Sequence, residues 1–288
     1  MKKSFLTLLA IATATLPSFA AIPVKTGEKI AFLGDSITAG GYSQPSGYVQ
    51  LVGKGLQANG VTVELIGAGI SGHKSNQMLE RLERDVLQKK PDWMTLSCGV
   101  NDVWHGPKGV NLDDYKKNIT AIIDRAQSAG IKVMVLTSTM IKEDQSSPQN
   151  QQLIPYNDFL RKVAQEKKCL LADLNADMQA AVSAVRKTTN NAGNHLTNDG
   201  VHMISEGNLM MAQGVLKAFG LSETEMNKAN QFFESMPNFT SVGSKKGLTL
   251  AQKKQLEKIA LEKKMSLSEL IDAEFDKSMQ TLLDQGKK

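Results

Sequence analysis

Gly34-Asp35-Ser36, Gly99-Val100-Asn101-Asp102 and Asp199-Gly200-Val201-His202 carry residue types that together can perform acyl transfer. Attack on an ester carbonyl needs a nucleophile, a base to take its proton, a group to orient that base, and donors for the oxyanion that forms. A serine hydroxyl does not ionise near neutrality, so Ser36 requires a neutral imidazole, and His202 is the candidate base. Asp199 can accept the other ring N–H and fix the tautomer, with Gly200 supplying the sharp turn between them. Gly72 offers an unhindered backbone N–H and Asn101 a side-chain amide as oxyanion donors. A competing reading exists for Ser36. Ser and Asp after a strand commonly cap the next helix, and on this stretch alone the cap is the simpler explanation. The joint presence of the other groups turns the reading toward a nucleophile.

These residues must be positioned by a scaffold. Apolar, β-branched runs over 30–33, 61–66, 93–98, 131–136 and 169–171 read as strands. They alternate with helical patterns over 48–56, 76–88, 113–128, 156–168, 177–187 and 206–219. Segments 40–47 and 137–151 read as loops, the latter carrying Met140 toward the crevice. The alternation predicts an α/β fold, a doubly wound, flavodoxin-like parallel sheet of five strands in the order 2-1-3-4-5 with helices on both faces. That order brings the loops bearing Ser36, Gly72 and Asn101 side by side at the carboxyl ends of the strands.

Gly67-Ala68-Gly69-Ile70-Ser71-Gly72 also spells G-x-G-x-x-G after a strand, the dinucleotide fingerprint. That fingerprint belongs to the first strand of its unit and wants an acidic residue about twenty residues on. Here the first acid beyond the next strand is Asp102, so nucleotide binding is set aside and no cofactor is expected. His73 reads as a solvated loop residue. Two cysteines, Cys98 and Cys169, are too few for a thiolate metal site. A strand between them argues against a disulfide, and no metal is expected.

The chain has 288 residues, a formal charge of +5, 41% hydrophobic and 22% charged residues, and a pI of about 9.0. Its lysines are scattered rather than gathered with aromatics, which sets nucleic acid aside as a partner. Residues 1–20 have the layout of a signal peptide: Lys2-Lys3, an apolar run over 5–16, and Ser18-Phe19-Ala20 as a cleavage site. The expected mature protein is exported, periplasmic or secreted, with no later run long enough to span a membrane. Asn118-Ile119-Thr120 and the sequon at Asn238 are chance matches.

The blocks resemble the SGNH subgroup of the GDSL esterases and lipases over about 30–216. Gly34-Asp35-Ser36 is the first block, Gly69-Ile70-Ser71-Gly72 the second, Gly99-Val100-Asn101-Asp102 the third and Asp199-Gly200-Val201-His202 the fifth. The resemblance implies a Ser36–His202–Asp199 triad and an oxyanion hole built from the backbone N–H groups of Ser36 and Gly72 with the Asn101 amide. Met203 stands where the family often has a proline. Trp104-His105 after the third block is similar to exported carbohydrate O-acetylesterases, which implies a polysaccharide or small ester substrate. Asp35, Trp104, His105 and Met140 are the further candidates for substrate contact. The alternatives are a broad short-chain carboxylesterase, thioesterase or lysophospholipase, and below these a catalytically silent glycan-binding protein.

Domain boundaries are expected at 1–20, 21–220 and 221–288. Beyond Gly220, Ser222-x-x-Glu225, Thr249-x-x-Gln252 and Ser266-x-x-Glu269 each match a capping box. The last stretch therefore reads as helices docked on the hydrolase domain, with self-association through them as the alternative.

Overall fold

Five short apolar runs form one parallel sheet, because each is followed by a helix that must cross back over a face before the next strand can pair. The computed structural model describes residues 22–189, 193–237, 239–241 and 247–285. The expected signal peptide and the sequon at Asn238 lie outside them. The strands are β1 Lys29–Gly34, β2 Glu64–Gly69, β3 Trp93–Ser97, β4 Lys132–Leu136 and β5 Leu170–Ala172, in the order β2-β1-β3-β4-β5. All four pairings are parallel. Every residue of β3 is buried, as expected of a central strand covered on both faces.

Helices α1 Ser36–Ser43 and α2 Tyr48–Ala58 follow β1, α3 Ser75–Asp85 follows β2, and α4 Val100–Trp104 and α5 Leu112–Ser128 follow β3. Next come α6 Pro148–Glu166, α7 Leu174–Thr189 and α8 Ser205–Ala218. Helix α2 packs with α8, and α7 with α8, while α3 packs with α5 and α5 with α6, giving one helical layer on each face.

The structure departs from the sequence reading in several places within the hydrolase fold. The second strand runs to Gly69 rather than ending at Ile66, because its glycines are packing positions. A Cβ on Gly67 would lie 2.7 Å from the Tyr42 ring, and one on Gly69 would lie 2.3 Å from the Ala39 backbone nitrogen. Part of the expected 40–47 loop is helix α1, whose Gly41 lies under the Tyr48 ring. Helix α6 begins at Pro148, capped by the Ser147 hydroxyl, and tolerates Pro155 in its interior.

After α8 come α9 Glu223–Ser235, a two-stranded antiparallel piece (β6 Thr240–Ser241, β7 Gly247–Leu248), α10 Leu250–Glu262 and α11 Leu267–Gln285. The pair of strands was not foreseen. All three capping boxes form: Ser222 with Glu225, Thr249 with Gln252, and Ser266 with Glu269. Helix α9 packs on α2, and Phe233 is fully buried. Helix α11 is mostly exposed, including Phe275 and Met279. Cys98 is buried beyond β3 and Cys169 half-buried before β5, both as free thiols, with β4 between their strands. Among the described residues, no helix is long and apolar enough to cross a membrane.

Candidate active site

Asp35 follows β1 and its carboxylate accepts the Ile37 N–H at 3.0 Å, starting α1. Asp35, not Ser36, is therefore the cap. Ser36 is the first residue of α1, half-buried at the carboxyl edge of the sheet. Its N–H belongs to the first helical turn, where backbone donors lack partners within the helix and the dipole favours negative charge.

The other half of the constellation sits at the tip of a narrow hairpin. Thr197 bridges Met203, the Asn198 N–H donates to His202 O at 3.0 Å, and the Ile204 N–H donates to Leu196 O at 3.0 Å. In the turn between, Asp199 Oδ1 accepts the Val201 and His202 N–H groups at 2.9 and 2.8 Å. Gly200 has a φ of +92°, a left-handed conformation that glycine adopts without penalty. Asp199 Oδ2 lies 2.6 Å from His202 Nδ1, and His202 Nε2 lies 2.9 Å from Ser36 Oγ.

Burial pushes the Asp199 carboxyl up, but the His202 ring and the backbone N–H groups of His202 and Val201 outweigh it and hold the group at about 2. Asp199 is thus ionised and can only accept. The proton of a neutral ring therefore sits on Nδ1, leaving Nε2 to accept from the Ser36 hydroxyl. Asp199, His202 and Ser36 form one directed chain of hydrogen bonds.

Gly72 lies on the loop after β2 with a φ of +75°, and a Cβ there would meet nothing within 4 Å, so its backbone faces open space. Asn101, in the first turn of α4, donates from Nδ2 to Asp35 Oδ2 at 3.2 Å and to His73 O at 3.3 Å. Arg81 ties these loops together. Its guanidinium is buried and donates to Gly34 O at 2.7 Å, to Ala68 O at 2.8 Å, to Asp85 at 2.9 Å and to His73 Nδ1 at 3.2 Å. Burial and the adjacent Arg81 charge lower the His73 pKa. The ring is neutral, with its hydrogen on Nε2.

Four sequence blocks thus meet at one point, and the profile of the GDSL-like Lipase/Acylhydrolase family matches residues 32–208. The chain belongs to this family. It is a carboxylic ester hydrolase of the SGNH type, with the sheet that type carries. The acetylxylan esterase of Geobacillus stearothermophilus is 29% identical over 216 residues, covering 68% of this chain and 96% of that protein. The esterase TesA of Pseudomonas aeruginosa is 30% identical over 110 residues, 38% of this chain and 53% of that one. Among solved structures, the acetyl xylan esterase AlAXEase superposes with a TM-score of 0.61 at 38% identity, covering 66% of this chain and 98% of its own.

Two of the hydrolase's expected substrate contacts need correction. Met140 is 2% exposed and sits in the core, its N–H directed at Met178 Sδ, so it does not face the crevice. Asp35 is 3% exposed, and its oxygens are engaged by Ile37 and Asn101, so it is a supporting group rather than a substrate contact. Burial raises the Asp35 pKa from 3.8 to about 6, helped by the nearby Asp102 charge and opposed by the Ile37 N–H and by His202. Trp104 is 39% exposed at the end of α4, on the same helical face as Asn101. His105 follows it, exposed.

Sequence reasoning missed His73 and Arg81 in the hydrolase's supporting shell. Arg81 left a legible trace, since it falls within the apolar stripe of α3 between Met78 and Leu82. His73 left none, its partner being a side chain from the following helix. Among the described residues, no group of three or more His, Cys, Asp or Glu side chains is arranged to hold a metal ion.

Proposed function

We propose that this chain is an exported serine esterase that removes O-acetyl groups from a carbohydrate through an acyl-enzyme. The observation that carries the reading is the unbroken line from Asp199 through His202 to Ser36, at 2.6 and 2.9 Å. As Ser36 Oγ bonds to the ester carbonyl carbon, its proton passes to His202 Nε2, and Asp199 offsets the charge that develops on the ring. The carbonyl oxygen becomes an oxyanion received by the N–H groups of Ser36 and Gly72 and by the Asn101 amide. The long Asn101 contacts to Asp35 and His73 yield one hydrogen to it. Collapse breaks the bond to the alcohol oxygen, which leaves with the proton from Nε2. Water, deprotonated in turn by His202, then bonds to the acyl carbon; the bond to Ser36 Oγ breaks, Oγ takes the proton back from Nε2, and the acid leaves.

The carbohydrate part of the reading rests on similarity to two acetylxylan esterases. It is supported by Trp104, whose exposed face is suited to packing on a sugar ring. Asp199 and His202 are about half exposed, which suits an ester carried on a polymer too large to enter a cavity. Export rests on the layout of residues 1–20, with cleavage proposed after Ala20. The broader reading, a short-chain carboxylesterase or thioesterase, is favoured by the similarity to the esterase TesA.

Hydrolysis of p-nitrophenyl esters from acetate to decanoate, run beside acetate release from acetylated xylan, separates the two. Activity confined to short acyl chains with acetate release supports the carbohydrate reading. Faster turnover of longer chains without glycan release replaces it with the broader one. A folded Ser36→Ala variant that keeps most of the activity would remove Ser36 from the mechanism.

A further inference from the structure

His202 and Asp199 stand at the tip of a hairpin, with 48% and 51% of their side chains exposed. Leu196 and Val201, 4% and 6% exposed, pack part of this hairpin into the core. A buried carboxylate grips its base as well. Glu143, on the loop between β4 and α6, is 1% exposed. Its Oε2 accepts the His195 N–H at 2.7 Å. Its Oε1 accepts the Leu196 N–H and the Thr197 N–H at 2.8 Å each, and the Thr197 hydroxyl at 2.7 Å. Successive backbone N–H groups converging on one anion form a nest, here filled by the protein's own side chain.

The segment so held is the first arm of the hairpin that carries Asp199 and His202. The loop bearing Glu143 also touches the tip, through the Lys142 N–H to Gly200 O at 2.6 Å. It does so at a cost, because Lys142 has a φ of +59°, a strained value for a residue with a side chain. Asn150 stiffens the loop in turn. It accepts the Ile141 N–H and donates to the carbonyls of Ile141, Lys142 and Asp144. A rigid loop, a buried charge and the base of the hairpin make one unit.

We propose that Glu143 is the positioning residue that sets the distance between His202 and Ser36, an inference that rests on reading those two as base and nucleophile. Glu143 touches no reacting atom. It acts by fixing where the Asp199–His202 turn lies, and a displacement of about 1 Å there is enough to cost about 100-fold in rate.

Glu143→Gln tests this. The glutamine keeps one acceptor oxygen but turns an NH2 group toward one side of the nest, so part of the grip is lost without a change in volume. Steady-state kinetics on p-nitrophenyl acetate is expected to show kcat down about 100-fold with KM within about twofold. Hydrogen exchange at 195–202 is expected to quicken in a chain that remains folded by circular dichroism. A folded variant with kcat within about twofold of wild type overturns the proposal, as does a rise in KM at unchanged kcat. If Glu143→Gln does not fold, Thr197→Val, which removes one of the hydrogen bonds, takes its place. A lower kcat at unchanged KM then supports the role, and an unchanged kcat overturns it. A wild-type chain without esterase turnover removes the reading of the site. Exchange at 195–202 then decides the grip alone, faster in the variant if Glu143 holds the hairpin and unchanged if it does not.

Discussion

Asn101 Nδ2 lies 3.2 Å from Asp35 Oδ2, so the side chain proposed to receive an oxyanion rests against a buried carboxylate. The carboxylate follows one strand, the amide lies in the first turn of the helix after the neighbouring strand, and their contact joins both loops. It also joins the orientation of the proposed oxyanion donor to the state of an acid.

Asp35→Asn is expected to stabilise the chain at neutral pH. Asp35 titrates at about 6 when folded, against an ordinary value of 3.8, so the folded state holds its proton more tightly than the unfolded one. Its contribution is most favourable below about pH 4 and is lost as the pH rises through 6. The shift corresponds to at most about 3 kcal/mol at pH 7. Asparagine keeps the cap on Ile37 but turns an NH2 group toward Asn101, at about 1 kcal/mol. The net gain is about 2 kcal/mol at pH 7 and disappears near pH 4. Urea denaturation of both proteins at the two pH values checks it, and a difference that does not change with pH rejects it.

Asp199→Asn should lower kcat about 10⁴-fold without unfolding the turn. The amide oxygen still accepts from Val201 and His202. Its NH2 faces Nδ1, however, and forces the ring hydrogen onto Nε2, which then cannot accept from Ser36. Because the Asp199 carboxyl titrates at about 2, the loss should be the same from pH 6 to pH 9. Rates measured across that range provide the check.

Asn101→Ala removes one of the proposed oxyanion donors and should cost kcat about 10²- to 10³-fold. Gly72→Ala meets no steric obstacle but must adopt a φ of +75°, at about 1–2 kcal/mol. It should remain folded, with its melting temperature lowered by a few degrees and kcat reduced at least about tenfold. Alanine keeps the N–H, so wild-type kcat in Gly72→Ala would show that the substitution does not move that donor.

Arg81→Lys should unfold more readily by about 3 kcal/mol, because a single ammonium cannot reproduce the fork that serves Gly34 O and Ala68 O in the interior. Chemical denaturation measures this directly. A variant within about 0.5 kcal/mol of wild type would mean that the two carbonyls find other donors.

The strands were legible because β1 has a continuous apolar run and β3 is apolar but for Thr95 and Ser97, and the alternation with helices left one simple sheet order. The glycines misled the reading. Gly67 and Gly69 look like a loop, yet they extend β2 because Tyr42 and Ala39 press against them. Pro155 looks like a stop, yet it lies within α6. The blocks around Ser36, Asn101 and His202 were visible because their chemistry is local in sequence. Asp35 and Met140 were read as substrate contacts and Glu143 was not singled out, because the roles of all three are set by burial and by tertiary partners.

Phe233 of α9 and Leu216 of α8 both press against Gly55, where a Cβ would come within 2.4 Å of the leucine and 3.2 Å of the phenylalanine. The segment beyond Gly220 therefore contributes a ring to the same interior that backs the sheet. Shortening the chain after α8 would leave an aromatic-sized hole beside α2 and invite aggregation. The place to attach an affinity handle or a surface tether is the far end of α11.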